Sequence, residues 1–199
     1  MPEHDRQKEL LDLIGFAQAG DEAAFERLYN EFYEPILRFI AFRVPTGDDA
    51  EDLAQTVFMR FYNNLNNWRD QGYSPLAYVF TIARSVVADY YRKNRIKPVG
   101  NSEEILPLLM DTSAKPDEIM QSNQEVERIM QSLGKLPQNY QEVISLRLIR
   151  ELDYPQIAKI IGKSEVNVRK LYSRGIQKLQ IQLTEDNKWK ILQTYSNII

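Results

Sequence analysis

Apolar residues recur every three or four positions through most of the chain. Phe25, Leu28, Tyr29 and Phe32 form one series, Ile36, Leu37 and Ile40 continue it, and Leu53, Val57, Phe58, Phe61 and Leu65 form another. That spacing lines one face of an α-helix, whereas a half-buried strand needs strict alternation, of which there is no sustained run. The pattern predicts an all-α fold. Start signals coincide with the series. Asp21 follows Gly20 before the first, and Asp48 and Asp49 follow Pro45, Thr46 and Gly47 before the second, where carboxylates can accept from unpaired amide protons. Pro35 has no N–H and crowds the preceding turn, so a break or kink is expected near Tyr33 or Glu34.

Between Lys97 and Gln124 the periodicity decays into stretches such as Lys97-Pro98-Val99-Gly100-Asn101-Ser102 and Asp111-Thr112-Ser113-Ala114-Lys115-Pro116-Asp117. The expected organisation is two small helical domains joined by a linker: residues 1–97, a linker over 98–124, and a second domain over 125–183. Within the linker, Ile105 to Met110 is an apolar patch suited to docking. The tail, 184–199, carries Trp189, Ile191, Leu192, Tyr195, Ile198 and Ile199, which serve equally to cover a core, bind a partner or fray.

Composition removes several chemistries. In 199 residues, 43% of them hydrophobic, there is no cysteine, hence no disulfide, thiolate metal site or cysteine nucleophile. The single histidine, His4, lies in a leader without apolar periodicity, so histidine catalysis and structural zinc lack candidates. No metal site, cofactor or enzymatic activity is expected. No apolar run approaches the roughly 18 residues of a membrane span, and acids stand where a secretory signal carries bases, so a cytoplasmic protein without membrane insertion is expected.

The net charge of −3 conceals a segregation. Residues 1–70 carry 7 basic and 14 acidic side chains, 71–100 carry 5 and 1, 101–127 carry 1 and 7, and 128–183 carry 10 and 4. Polyanion affinity follows local basic density and counterion release rather than pooled charge, so nucleic acid remains a partner class alongside ordinary solvated faces.

From Asp153 to Leu171 each position fits a helix-turn-helix. Asp153 with Gln156 makes a capping box, and Pro155 is tolerated in the first turn. Ile157 and Ile161 face inward, Ala158 allows close approach, Gly162 suits a left-handed turn, and Ser164 can cap the next helix. Val168 and Leu171 continue the core stripe, which turns Glu165, Asn167, Arg169, Lys170, Ser173, Arg174, Gln177 and Lys178 outward or to the flanks. A basic face of this kind suits a helix entering the major groove between phosphate rails. Tyr140, Ile144 and Leu148, after Leu136-Pro137, give a supporting helix.

The other basic block, Ser74 to Lys97, alternates aromatics with bases, which suits single-stranded nucleic acid stacking on rings and is also compatible with an aromatic core face. In order, the segments resemble the bacterial sigma factors of RNA polymerase, of the two-domain extracytoplasmic-function (ECF) type, over roughly Gly20 to Leu183. Asp49 to Phe58 resembles the family's polymerase-clamp helix, Tyr78 to Arg84 with Asp89 to Lys93 its minus-10 helix, and Gly162 to Leu179 the helix that reads the minus-35 element.

The resemblance implies a factor directing promoter recognition, DNA melting and transcription initiation without covalent chemistry. It implies core RNA polymerase (largest-subunit coiled coil and flap), promoter DNA and an anti-sigma factor as partners. Asp52, Gln55 and Thr56 would face the coiled coil, with Leu53, Val57 and Phe61 in the core. Trp68, Tyr78, Phe80, Arg84, Arg92, Lys93, Arg95 and Lys97 would serve the minus-10 region, and Ser164, Glu165, Asn167, Arg169, Lys170, Ser173, Arg174, Gln177 and Lys178 the minus-35 element. The loop Asn67 to Tyr73 matches the one that captures a flipped base, where Trp68 serves equally as a plug beneath it. Tyr78 stands where the family usually carries Trp, Ser85 where Asn is common, Thr56 where an acid is common and Leu171 where a base is common. The competing readings are a stand-alone helix-turn-helix regulator with a sensing or dimerising N-terminal domain, and a purely protein-binding helical module.

Overall fold

The apolar series become the buried faces of helices. The structure, a computed structural model, describes residues 3–94, 128–129, 131–148 and 152–184. Among them there is no strand, and the helical elements are α1 (Glu3–Gln18), α2 (Glu22–Ala41), α3 (Gly47–Asn64), the 3₁₀ turn Leu65–Asn67, α4 (Pro75–Asn94), α5 (Gln138–Leu148), α6 (Tyr154–Ile161) and α7 (Glu165–Thr184), with residues 128–129 and 131–134 helical as well. The expected linker, 98–124, and all of the tail but Thr184 lie outside the described residues.

Helices α1 to α4 pack around Leu28, Phe32, Ile36, Ile40, Val57, Phe61, Val79 and Phe80, all fully or almost fully buried. Asp21 caps α2, accepting from the Ala24 amide at 3.1 Å. The cap of α3 is Thr46 rather than Asp48 or Asp49: its extended backbone lets Oγ1 accept from the Asp49 amide at 3.1 Å and donate to the Asp49 carboxylate at 2.7 Å. The two aspartates fall inside the first turn, where the helix dipole favours them.

Of the break or kink expected near Tyr33 or Glu34, the break does not occur; α2 continues as helix through Pro35 to Ala41. A proline inside a helix costs about 3 kcal/mol, while each large apolar side chain fully buried contributes about 1.5–3 kcal/mol. Leu28 and Phe32 before the proline and Ile36, Leu37, Phe39 and Ile40 after it are buried on one continuous stripe, so packing outweighs the lost backbone bond.

The C-terminal helices α5, α6 and α7 form a second unit in which α5 and α6 both pack on α7. Asp153 and Gln156 make the reciprocal capping box, each backbone N–H donating to the other's side-chain oxygen at 2.8 Å. Gly162 takes φ 68°, ψ 38°, the left-handed conformation that turns the chain into α7. The crossing of α5 and α7 depends on Gly175: a Cβ there would lie 3.0 Å from Ile144 Cδ1 and 3.2 Å from Tyr140 Cβ.

Gly175→Val is therefore expected to push α5 off α7 and to destabilise the protein by about 1–3 kcal/mol. A lowered urea-denaturation midpoint at unchanged slope is the measurement that checks it.

Candidate nucleic-acid interface

Each face proposed for chemistry lies opposite a core stripe. On α7 the inner stripe is Val168, Gly175, Leu179 and Leu183, all buried, with Leu171, Tyr172 and Ile176 partly buried beside it. Ser164, Asn167, Arg169, Lys170, Ser173, Arg174, Gln177 and Lys178 are exposed and Glu165 is half-buried. Lys170, Arg174 and Lys178 follow one another at four-residue steps and form a cationic rail along the helix. Arg169 is committed more tightly. Its Nε and Nη2 donate to Glu165 Oε1 at 2.8 and 2.6 Å, and its guanidinium lies 4.3 Å from the Tyr154 ring centre.

On α4 the minus-10 candidates separate into two groups. Arg84, Arg92 and Lys93 are exposed, with Arg84, Ala88 and Arg92 at four-residue steps on one face. Phe80 is 0% exposed and packs edge-on against Phe39 at 5.1 Å, so its ring belongs to the core and is not available to stack on a base. The aromatic face of α4 thus follows the core alternative at this position. Tyr78 is half-buried beside Phe61, and burial raises its pKa above the ordinary phenol value. Arg95 and Lys97 lie outside the described residues.

The loop before α4 is held from both ends. Gln18 of α1 donates from Nε2 to the carbonyls of Leu65 at 2.8 Å and Trp68 at 3.0 Å. Arg69 Nη1 donates to the carbonyls of Asn66 and Trp68, and the Gly72 amide donates to Asp70 Oδ1, with Gly72 at φ 77°. Trp68 is partly buried against the core, so it plugs the loop from below while part of the side chain stays accessible.

On α3, Asp52 and Gln55 are exposed and Thr56 is half-buried, its hydroxyl donating to the Asp52 carbonyl at 3.0 Å. Met59, 66% exposed, extends the same face one turn further. Sequence reasoning missed it, although an apolar residue seven positions after Asp52, off the Val57–Phe61 core stripe, was a readable signal. Leu53 is partly buried against the core, and Val57 and Phe61 are fully buried.

The two units also meet. Helix α6 packs on α4, the Lys159 Nζ lies 5.7 Å from the Tyr73 ring centre, and Arg84 Nε donates to Glu142 of α5 at 2.9 Å. At the centre Arg43, 6% exposed, donates to the Phe39 carbonyl and, from Nη2, to Ser145 Oγ at 2.9 Å. Burial pulls its pKa down to about 10, opposed by Glu142 and aided by Arg84. Among the described residues no group of three or more His, Asp or Glu side chains is arranged to hold a metal ion, and no helix is long and apolar enough to cross a membrane.

A helix-turn-helix beside a four-helix unit, with exposed basic side chains on both, is an arrangement suited to binding nucleic acid. The family follows from the match of its models: Sigma-70 region 2 over residues 28–96 and Sigma-70, region 4 over residues 126–179, together more than half of the chain. The chain belongs to this family and is an RNA polymerase sigma factor of the ECF type. It is 28% identical over 177 residues to the ECF RNA polymerase sigma factor BldN of Streptomyces coelicolor, covering 89% of this chain and 67% of that protein. It is likewise 28% identical over 166 residues to the RNA polymerase sigma factor YlaC of Bacillus subtilis, covering 83% of this chain and 95% of that one. Its fold is similar to that of CnrH in complex with the cytosolic domain of CnrY, at TM-score 0.61 and 22% identity over 87% of this chain and 96% of that one. A second similar structure is the sigma factor RpoE in complex with the anti-sigma factor NepR from Bartonella quintana, at TM-score 0.55 and 20% identity over 90% and 97%. The match of the N-terminal half to region 2 disfavours the stand-alone regulator.

Replacing Ser145 by Ala and Glu142 by Lys together removes the cross-unit hydrogen bond of the buried guanidinium, leaving it the Phe39 carbonyl, and puts a like charge opposite Arg84. A buried hydrogen-bonding group left without one of its partners costs about 1–3 kcal/mol. The full-length double variant is expected to show a larger radius of gyration by small-angle scattering, at unchanged helix content by circular dichroism.

Proposed function

We propose that this sigma factor engages promoter DNA through two separate helices while α3 holds core RNA polymerase. The 1–97 and 125–183 domains are the units that do so, and 98–124 spans between them. The carrying observation is the outer stripe of α7, where Lys170, Arg174 and Lys178 run along the side opposite the core with Asn167, Ser173 and Gln177 beside them. A helix so divided can lie in the major groove, with cations toward phosphates and amide and hydroxyl groups toward base edges. This assigns the minus-35 element to α7.

The minus-10 element falls to the exposed bases of α4 and to the loop around Trp68, Tyr73 and Tyr78. Unpairing and extruding a base costs a few kcal/mol, and a pocket with a stacking ring and polar edges offsets it. Phe80 is not part of that surface. On α3, Asp52, Gln55 and Thr56, extended by Met59, offer an acidic and partly apolar stripe to a basic coiled coil of the polymerase's largest subunit, and the flap of the polymerase would receive the second domain.

An anti-sigma factor that masks these stripes belongs to the same reading, in keeping with the complex in which RpoE was solved with the anti-sigma factor NepR. So do a cytoplasmic location and the absence of catalysis: initiation here needs binding and base capture, with no bond made or broken by this chain. Tethering lets two weak contacts on one duplex add, so affinity for a promoter belongs to the assembled holoenzyme.

The test is reconstitution with bacterial core polymerase and a promoter library, scored for sequence-dependent initiation; no assembly with core polymerase would end the reading. Asp52→Lys is expected to weaken association with core polymerase by at least tenfold in a pull-down titration while leaving the urea midpoint near wild type, because position 52 is exposed. Arg174→Ala is expected to weaken holoenzyme binding across sequences. If the side chain meets a phosphate, the slope of log affinity against log salt falls by about 1; if it meets guanine, preference relaxes at one base instead.

A further inference from the structure

Val166, the second residue of α7, is 61% exposed. Steps of four, three and four residues lead from it to Lys170, Ser173 and Gln177, all exposed, so it opens the stripe opposite Val168, Gly175 and Leu179. Its neighbours in the first turn are partly occupied. Glu165 accepts from Arg169, Arg169 lies over Tyr154, and the Asn167 amide donates to Ser164 Oγ at 3.4 Å.

A β-branched residue at an exposed helical position does little for folding, since valine is a weaker helix former than alanine and its methyl groups stay in water. It does place an apolar tip in the first turn of the helix, and first-turn residues of an inserted helix are those that approach base edges. In the major groove the apolar group a base pair presents is the C5-methyl of thymine; the cytosine amino group and the purine edge atoms are donors or acceptors that valine would leave unpaired.

We propose that Val166 reads the methyl group of a thymine in the upstream promoter element and is a specificity-determining residue beside the hydrogen-bonding and phosphate-binding groups of the stripe. This rests on the reading of α7 as the helix in the major groove. The contact attracts thymine by mutual burial of methyl groups and disfavours cytosine at the same position by stranding its amino group.

Holoenzyme assembled from the full chain and core polymerase is first allowed to select its upstream element from randomised duplexes. Each thymine of the selected element, on either strand, is then replaced singly by deoxyuridine, which removes the methyl group and nothing else. At one thymine the replacement is expected to weaken binding roughly fourfold, the worth of one buried methyl group. Val166→Ala holoenzyme is expected to bind the thymine element with about that loss and to bind thymine and deoxyuridine elements alike. The variant is safe for the fold, since the position is exposed and alanine is the better helix former. Indifference to deoxyuridine at every thymine, a selected element without thymine on either strand, or sensitivity that persists in Val166→Ala would each overturn the inference. Failure of the holoenzyme to select any upstream element overturns the reading of α7 itself, and is a different result from selection without methyl sensitivity.

Discussion

A buried cation must find its hydrogen bonds inside the protein, and that constraint on Arg43 fixes how the two halves of the molecule meet. Its guanidinium takes the Phe39 carbonyl from its own helix end, Ser145 Oγ from α5, and the Phe39 ring at 3.7 Å. The Arg43 carbonyl in turn accepts from the Tyr91 hydroxyl near the end of α4. One residue thus ties α2, α4 and α5 together. Its pKa near 10, below the ordinary value, means that burial disfavours the charged form. The closed contact therefore carries a charge-burial cost throughout the neutral range, which fades only as pH rises above about 10. A contact of this kind specifies geometry more than it adds stability.

That balance bears on the functional surfaces because the same closure engages the minus-10 candidates. Arg84 is paired to Glu142, whose side chain is only 17% exposed, and Lys159 of α6 stands over Tyr73 in the loop proposed for base capture. DNA phosphates and an extruded base would compete with groups of the protein's own second unit. The outer stripe of α7 is not closed in this way; its exposed cations face outward while α5 and α6 cover the inner side.

Local rules read from sequence succeeded where the cause is local. The capping box at Asp153 and Gln156, the left-handed Gly162, the Asp21 cap and the outward set on α7 each depend on residues within a few positions of one another. Asp48 and Asp49 misled because three residues within one turn, Thr46, Asp48 and Asp49, all make good N-terminal partners, and the extended backbone at Thr46 decides among them. The helix does not break at Pro35 because the cost of a proline is local while the buried series that outweighs it runs from Leu28 to Ile40. Phe80 could not be placed from its own neighbourhood: the ring that covers it, Phe39, lies 41 positions earlier. Arg84 with Glu142, 58 positions apart, and Arg43 with Ser145, 102 apart, were invisible for the same reason.

The stripe proposed for the polymerase stands apart from this competition, and the difference suggests an order of events in the proposed function. Asp52, Gln55 and Met59 are exposed on α3, whose packing partners are α2, α4 and the 3₁₀ turn. Docking of α3 on the polymerase needs no contact between the units to break, whereas minus-10 engagement requires Arg84 and Tyr73 to exchange partners. In the proposed function, binding to the polymerase through α3 can therefore come first, whereas separating the halves takes further contacts made only in the open form, since a contact indifferent to the two states shifts nothing. The charge segregation along the chain fits this sequence. In the proposed function the acidic N-terminal block would repel DNA from the isolated protein, and the basic faces of α4 and α7 would gain their target when the polymerase holds the duplex alongside.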